Sequence, residues 1–263
     1  HAVLIVLYVS SLAGGTLGVI MMCQQLFQRR SQSVMTLMII SLLVLHTFML
    51  LSIPFRLSYY ILGEWKFGRF TCRLASATIY LHMYTTFAFY VTIIIARLLH
   101  LEFQKCYTTA WVVAVWLLGA LVITPVLFSY YGTSKTYKPS ECFQFHRELQ
   151  EAHMVMANYC LTGIVVAVCA VLTVIQLTVI YRVAVKCWPD VNSHVEFRAQ
   201  AKSFFFILVT LVCFMPHHVF RVYYIQNYNL DKDHKLLLYN EVFLALTAMC
   251  CLDMLCFTAG IAH

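Results

Sequence analysis

Seven groups that can carry a charge or a proton stand inside stretches that are otherwise apolar. They are Arg56, Arg97, Arg221, Glu241 and Asp253, with His46 and His82. A charge in hydrocarbon costs about 3 to 10 kcal/mol or more, so each one needs a partner or a task. Arg56 and Arg221 each follow a proline by a short interval, Pro54 and Pro216. Set against Glu241, they leave one positive charge over. Near them in sequence lie Arg73, Tyr59, Tyr60, Tyr80, Tyr84, His217, His218, Tyr223 and Tyr224. Arginine grips carboxylate and phosphate through two parallel hydrogen bonds, so such a set suits an anionic ligand. Arg56, Tyr59, Tyr80, Tyr84, His218, Arg221 and Glu241 are the candidate ligand-binding residues. The plain alternative is an ion pair that staples helices and binds nothing. His46, His82 and Asp253 form a second set. They suit a hydrogen-bonded polar core, or more remotely a proton relay. Zinc would need more ligands than these three, so no metal and no cofactor is expected.

The elements that position these groups follow from the solvent. Hydrophobic residues make up 62% of the chain and charged residues 11%, where a soluble domain is roughly 25% charged. Windows free of Asp, Glu, Lys and Arg cover 1–28, 31–55, 74–96, 106–134, 152–181 and 203–220; a seventh stretch of the same kind, 242–263, is interrupted only by Asp253 and makes the seventh span. About 20 such residues cross the hydrocarbon as a helix. Alternating-strand patterning is absent, which argues against a barrel. The expected fold is an all-α membrane protein, a seven-transmembrane helix bundle forming one domain over residues 1–263. The chain starts and stops within apolar spans, so the outer N-terminus and the C-terminal tail are expected to be absent from it.

The formal charge of +7 does not signal nucleic acid, because the basic residues sit at helix ends, as membrane proteins place them. Lys and Arg are equally frequent in the loops of the two sides and do not orient the bundle. Cysteine does. Nine of the eleven cysteines lie in or beside apolar helices and read as reduced packing residues. Cys72, at a helix start, and Cys142, in the polar loop KTYKPSECFQFH, are the exceptions. A disulfide between them would need an oxidising exterior. That orientation puts Arg97 inside and Arg56, Arg221 and Glu241 near the outer mouth. No nucleophile constellation, phosphate loop or metal cluster suggests an enzyme, and no catalytic residue is assigned. A transporter or proton-conducting seven-helix protein is the alternative function, although repeats and broken helices are absent.

Five motifs occur in order along the whole chain. Cys72 and Arg97 are 25 residues apart; Trp116 is followed by Pro125; Cys213-Phe214-Met215-Pro216 ends one apolar run; Asp253-Met254-Leu255-Cys256-Phe257 ends another; and Ile53-Pro54-Phe55-Arg56 closes the second span. Together they resemble the rhodopsin-like G-protein-coupled receptors, in the nucleotide-receptor branch. Phe214 stands where the sixth helix of that family carries tryptophan, and Asp253 to Phe257 stand where the seventh carries Asn-Pro-x-x-Tyr. No lysine occurs in 236–263, so a retinal Schiff base is excluded. The resemblance implies a multi-pass plasma-membrane receptor in contact with membrane lipid. Its partner would be a heterotrimeric G protein on the cytoplasmic face, and its ligand an anionic small molecule or lipid. It implies a Cys72–Cys142 disulfide, since the family bridges this pair. It also implies activation roles for Arg97, Tyr181, Glu196, Phe214, Asp253 and Phe257. Tyr181 and Glu196 are the expected partners of Arg97 at the inner end; Glu196 lies 20 residues before Pro216, where relatives often carry an acid that pairs with this arginine.

The departures from the pattern matter as much. Ala96 stands where relatives have the acid that restrains the arginine, and Leu98 where they have tyrosine. His46 replaces the aspartate of the family's sodium site, His82 stands at another wall position of it, and Val19 replaces the first-helix asparagine. A hard cation wants oxygen donors, so no allosteric sodium is expected. The expected consequence is ligand-independent activity. Arg97 and Trp116 are only 19 residues apart, so part of the second inner loop near Cys106 is expected to be absent too.

Overall fold

Helix α3, Gly68–Leu98, is the axis of the bundle: 61% of its apolar span is buried, against 22% for α5. In the computed structural model, residues 2–28, 34–98, 105–125, 138, 140–143, 151–190, 194–230 and 235–255 are described. The other helices are α1 Ala2–Gln28, α2 Val34–Leu62, α4 Lys105–Pro125 and α5 Ala152–Lys186. Two composite helices follow, α6 over Val195–Leu230 and α7 over Lys235–Leu255. Six of these seven are long and apolar enough to cross a membrane, and α4 contributes a shorter apolar stretch, Tyr107–Leu121. Hydrophobic side chains such as Val6, Leu51, Leu117, Val174 and Val212 are exposed all round the bundle. In lipid they need no cover, and a helix is the structure that satisfies its own backbone there.

Prolines set the irregularities that matter for the sites. Pro216 has no N–H to give and crowds the preceding turn. The chain answers with a wide π-type turn at Thr210–Phe214, where the Thr210 hydroxyl donates back to the Phe206 carbonyl at 2.8 Å. Pro54 lies inside α2, where Ser52 Oγ donates to the Met49 carbonyl at 2.7 Å. In α7 the turn Met249–Leu252 tightens to a 3-10 helix. Helix α1 reaches α7 through Gly18, where a Cβ would come within 3.0 Å of Met254 Cβ and 3.2 Å of the Leu255 nitrogen. Among the described residues two large apolar clusters fill most of the interior, beside a small third one at Tyr224 and Ile225. The outer one holds Tyr8, Ile53, Tyr60, Trp65, Ile79 and Phe143; the inner one holds Leu42, Phe89, Tyr90, Phe206, Phe214 and Met254.

Candidate functional site

Cys72 and Cys142 are disulfide-bonded, with Cα atoms 5.9 Å apart, and tie the outer end of α3 to the loop before α5. The Trp65 amide adds a hydrogen bond to the Ser140 carbonyl at 2.8 Å. The next residue, Phe143, is thereby held with φ 63°, a left-handed conformation that is unusual for an aromatic residue. Its ring stacks over Tyr60 and meets Tyr59 and Trp65 edge-on. It also covers Arg56, whose Cζ lies 4.4 Å from the ring centroid.

Beneath this lid Arg56 is only 1% exposed. One nitrogen donates to Tyr8 Oη at 3.2 Å and stands 3.8 Å from Glu241 Oε2; the other donates to the Ala75 carbonyl at 3.1 Å. Tyr60 donates its hydroxyl to the same Glu241 oxygen at 2.9 Å. Glu241 therefore neutralises Arg56, so this arginine is first of all a link between α2 and α7. Arg221, on α6, is held differently. Nε donates to Asn158 Oδ1 and Nη1 to Asn240 Oδ1, both at 3.1 Å, and Cζ lies 5.4 Å from the Tyr224 ring. Two amide oxygens orient the guanidinium. Arg56 and Arg221 share the wall of a cavity of about 20 Å³ with Tyr80, Phe143, Asn240 and Glu241. That is room for about one water. A larger guest needs the lining side chains to move apart.

Of the candidate ligand residues, Arg56, Tyr80, Arg221 and Glu241 line this cavity. Tyr84 and His218 face each other elsewhere, ring centroids 5.8 Å apart, and Tyr59 belongs to the aromatic cover. Sequence reasoning missed Tyr8, Asn158, Asn240 and Phe143. The first three are uncharged and raise no alarm in an apolar run; the position of Phe143 is a product of the disulfide.

In the core, α2, α3 and α7 bring His46, His82 and Asp253 together, each at most 2% exposed. His46 Nδ1 is 2.9 Å from His82 Nε2, and His46 Nε2 is 3.1 Å from Asp253 Oδ1. Tyr90 donates its hydroxyl to Asp253 Oδ2. The carboxylate thus has a donor on each oxygen, which is how a buried charge is made tolerable. Two thiols, absent from the sequence expectation, complete the cluster. Cys251 Sγ lies 3.7 Å from His46 Nδ1 and 3.6 Å from His82 Nε2, and Cys250 Sγ lies 3.8 Å from His82 Nε2.

At the inner end, Arg97 donates to Ser203 Oγ at 3.4 Å and lies 6.0 Å from the Phe206 ring. The expected partners are elsewhere. Glu196 is 3.8 Å from Lys186, both largely exposed, and the Tyr181 side chain is 71% exposed. Among the described residues Arg97 has no carboxylate partner. The reach of Lys186 from the end of α5 explains the change: it meets Glu196 in water, where a flexible pair forms at little cost. The Tyr90 ring lies 5.0 Å from Phe206 and 6.2 Å from Phe214, so one aromatic run joins the floor beneath Arg97 to Asp253. Phe257 falls outside the described residues.

A seven-helix bundle with a disulfide at the outer end of α3, prolines in α2 and α6, and an arginine at the inner end of α3 defines a transmembrane receptor. Residues 17–254 match the model for the 7 transmembrane receptor (rhodopsin family), and the chain belongs to that family. It is a multi-pass plasma-membrane receptor and not an enzyme. The chain is 38% identical to the human probable G-protein coupled receptor 141 over 270 residues, covering 99% of this chain and 88% of that protein. It is 24% identical to the rat 2-oxoglutarate receptor 1 over 217 residues, 76% of this chain and 62% of the relative. It is 26% identical to the rat uracil nucleotide/cysteinyl leukotriene receptor over 187 residues, 68% and 53% respectively.

Proposed function

We propose that this chain transduces an outer-side signal to heterotrimeric G proteins and signals appreciably without a ligand. The observation that carries this is Arg97 itself. Ala96 offers it no acid, Glu196 is engaged with Lys186, and its hydrogen bond is to a serine hydroxyl at 3.4 Å. A hydrogen bond of that length to an uncharged hydroxyl holds the inner ends of α3 and α6 together weakly. A two-state receptor without such a brake populates its active form more, and about 1 kcal/mol is roughly a fivefold change in the ratio. Ala96→Asp restores an acid beside Arg97 and should lower basal G-protein activation by about fivefold at equal surface expression. Glu196→Ala should leave it unchanged. Wild-type basal signalling equal to that of cells without the receptor defeats the proposal.

The outer ligand is an anion anchored by Arg221. Its guanidinium is positioned by two neutral amides, and two relatives are named for 2-oxoglutarate and for uracil nucleotides and leukotrienes, all anionic molecules. Arg56 serves as the link to Glu241 under the lid. For an agonist found in a panel of dicarboxylates, nucleotides and acidic lipids, Arg221→Ala should weaken potency by 10-fold or more, since losing one arm of a charged contact costs about 2–5 kcal/mol. An unchanged potency removes Arg221 from the site.

A further inference from the structure

We infer that His46, His82, Cys250 and Cys251 form a zinc site buried between α2, α3 and α7. The expectation of no metal rested on counting three donors, His46, His82 and Asp253. The fold adds two thiols that the sequence had placed among packing residues. One ligand atom each from His46, His82 and Cys250 lies within 4.8 Å of the others. Cys251 Sγ faces the same two nitrogens, at 3.7 and 3.6 Å.

The spacing fits the ion. With Zn–N about 2.0–2.1 Å and Zn–S about 2.3 Å, a tetrahedron puts nitrogen and sulfur about 3.5 Å apart and two nitrogens about 3.3 Å apart. The observed nitrogen–sulfur separations are 3.6, 3.7 and 3.8 Å, and the two nitrogens stand 2.9 Å apart. Among these four separations only the two nitrogens need to part, by about 0.4 Å; Cys250 Sγ stands within 4.8 Å of the His46 nitrogen and would close on it as the ion binds.

The surroundings prepare one ligand. His46 Nε2 faces Asp253 Oδ1 at 3.1 Å; a carboxylate partner favours the proton on that nitrogen, which leaves Nδ1 as the one that would turn a lone pair to an ion in the cluster. Asp253 is held in turn by the Tyr90 hydroxyl. A histidine ligand whose far nitrogen donates to a carboxylate is the usual support for a metal-bound imidazole. The donor types choose the ion: imidazole and thiolate suit zinc, while sodium, magnesium and calcium want oxygen. Charge chooses the stoichiometry. Each thiol gives up its proton to solvent on binding, so one Zn²⁺ offsets two thiolates and the charge left over is that of Asp253, which already has His46 and the Tyr90 hydroxyl on its two oxygens. The bound ion would lock three helices at the level where α7 tightens into its 3-10 turn.

The test uses the purified full chain in detergent, stripped with a chelator and titrated with Co²⁺, then with Zn²⁺. The expected result is one Co²⁺ per chain with tetrahedral d–d bands and an intense thiolate-to-cobalt charge-transfer band, displaced by Zn²⁺, together with a zinc-dependent rise in melting temperature. Cys250→Ser combined with Cys251→Ser should abolish the charge-transfer band and the rise; His194→Ala, at an exposed histidine, should change neither. His82→Gln provides a second variant if the serine pair fails to fold, and should likewise lose the tetrahedral spectrum. Cobalt bound without a charge-transfer band in the wild type overturns the site. So does a zinc-dependent rise that survives in the variants, which would assign the ion to surface histidines. No binding at all leaves the cluster as a hydrogen-bonded core with free thiols and ends the proposal.

Discussion

Glu241→Ala should lower the stability of the folded receptor by about 3–5 kcal/mol, and Arg56→Met placed in the same chain with Glu241→Leu should recover most of it. The reason is the burial of Arg56, 1% exposed beneath Phe143. Guanidinium stays charged at any ordinary pH, so it cannot shed its cost by losing a proton. With Glu241 gone, Tyr8 and the Ala75 carbonyl still accept from it, but no negative charge among the described residues remains in contact with it. Tyr60 also loses the oxygen its hydroxyl bonds. Replacing both charges by apolar groups removes the stranded cation and leaves only the Tyr60, Tyr8 and Ala75 groups to find new partners, at about 1–3 kcal/mol for each left unmet. Melting temperatures in detergent for Glu241→Ala and for the double variant, set against the wild type, decide this. A Glu241→Ala receptor that melts with the wild type, or a double variant that melts with Glu241→Ala, contradicts it.

The same pair shows where the sequence stops being informative. Two arginines and one glutamate near the outer mouth were legible, because a charge in an apolar run is conspicuous. Which arginine takes the glutamate was not, because that depends on how α7 is rotated against α2 and α6. Spans were legible for the same reason as the charges: lipid forbids ionised groups along about 20 residues. The boundaries of α3, α5 and α6 extend well past the charge-free windows, since helices continue into water beyond the hydrocarbon. His46, His82 and Asp253 were legible as a set. Cys250 and Cys251 were not, because a cysteine in an apolar run looks like any small hydrophobe until a histidine nitrogen is found beside it. The Arg97–Glu196 expectation rested on spacing to Pro216, and spacing alone did not register that Lys186 competes for the same carboxylate. Tyr90 escaped notice because its ring belongs to the core and only its hydroxyl does polar work.

Asp253→Ala should destabilise the receptor by about 3–5 kcal/mol, because it strips the acceptor from two buried donors at once. His46 Nε2–H and the Tyr90 hydroxyl have no water to turn to at 0% and 1% exposure. Asp253→Asn should cost less. Its amide oxygen still accepts from His46, and its NH2 donates to the Tyr90 oxygen once that hydroxyl rotates. Tyr90→Phe should cost less again, since the ring stays in contact with Phe206 and Phe214 and only one donor is removed together with its need. In an Asp253→Ala background Tyr90→Phe should become neutral or favourable, because the hydroxyl it deletes is by then unpaired. The cycle is therefore predicted to be non-additive, as for any two groups in direct contact. Running it in chelator keeps metal binding out of the comparison. Additive losses would mean that Asp253 and Tyr90 act separately, and the aromatic run beneath Arg97 would then have no polar anchor on α7. A coupled loss ties that run to the cluster: Asp253 fixes Tyr90, Tyr90 packs on Phe206, and Phe206 lies under Arg97 on the α6 side of the inner mouth. Weakening the first link should then loosen the last, so Asp253→Asn should change basal signalling while the exposed ends of α5 and α6, with Lys186 and Glu196, remain as they are.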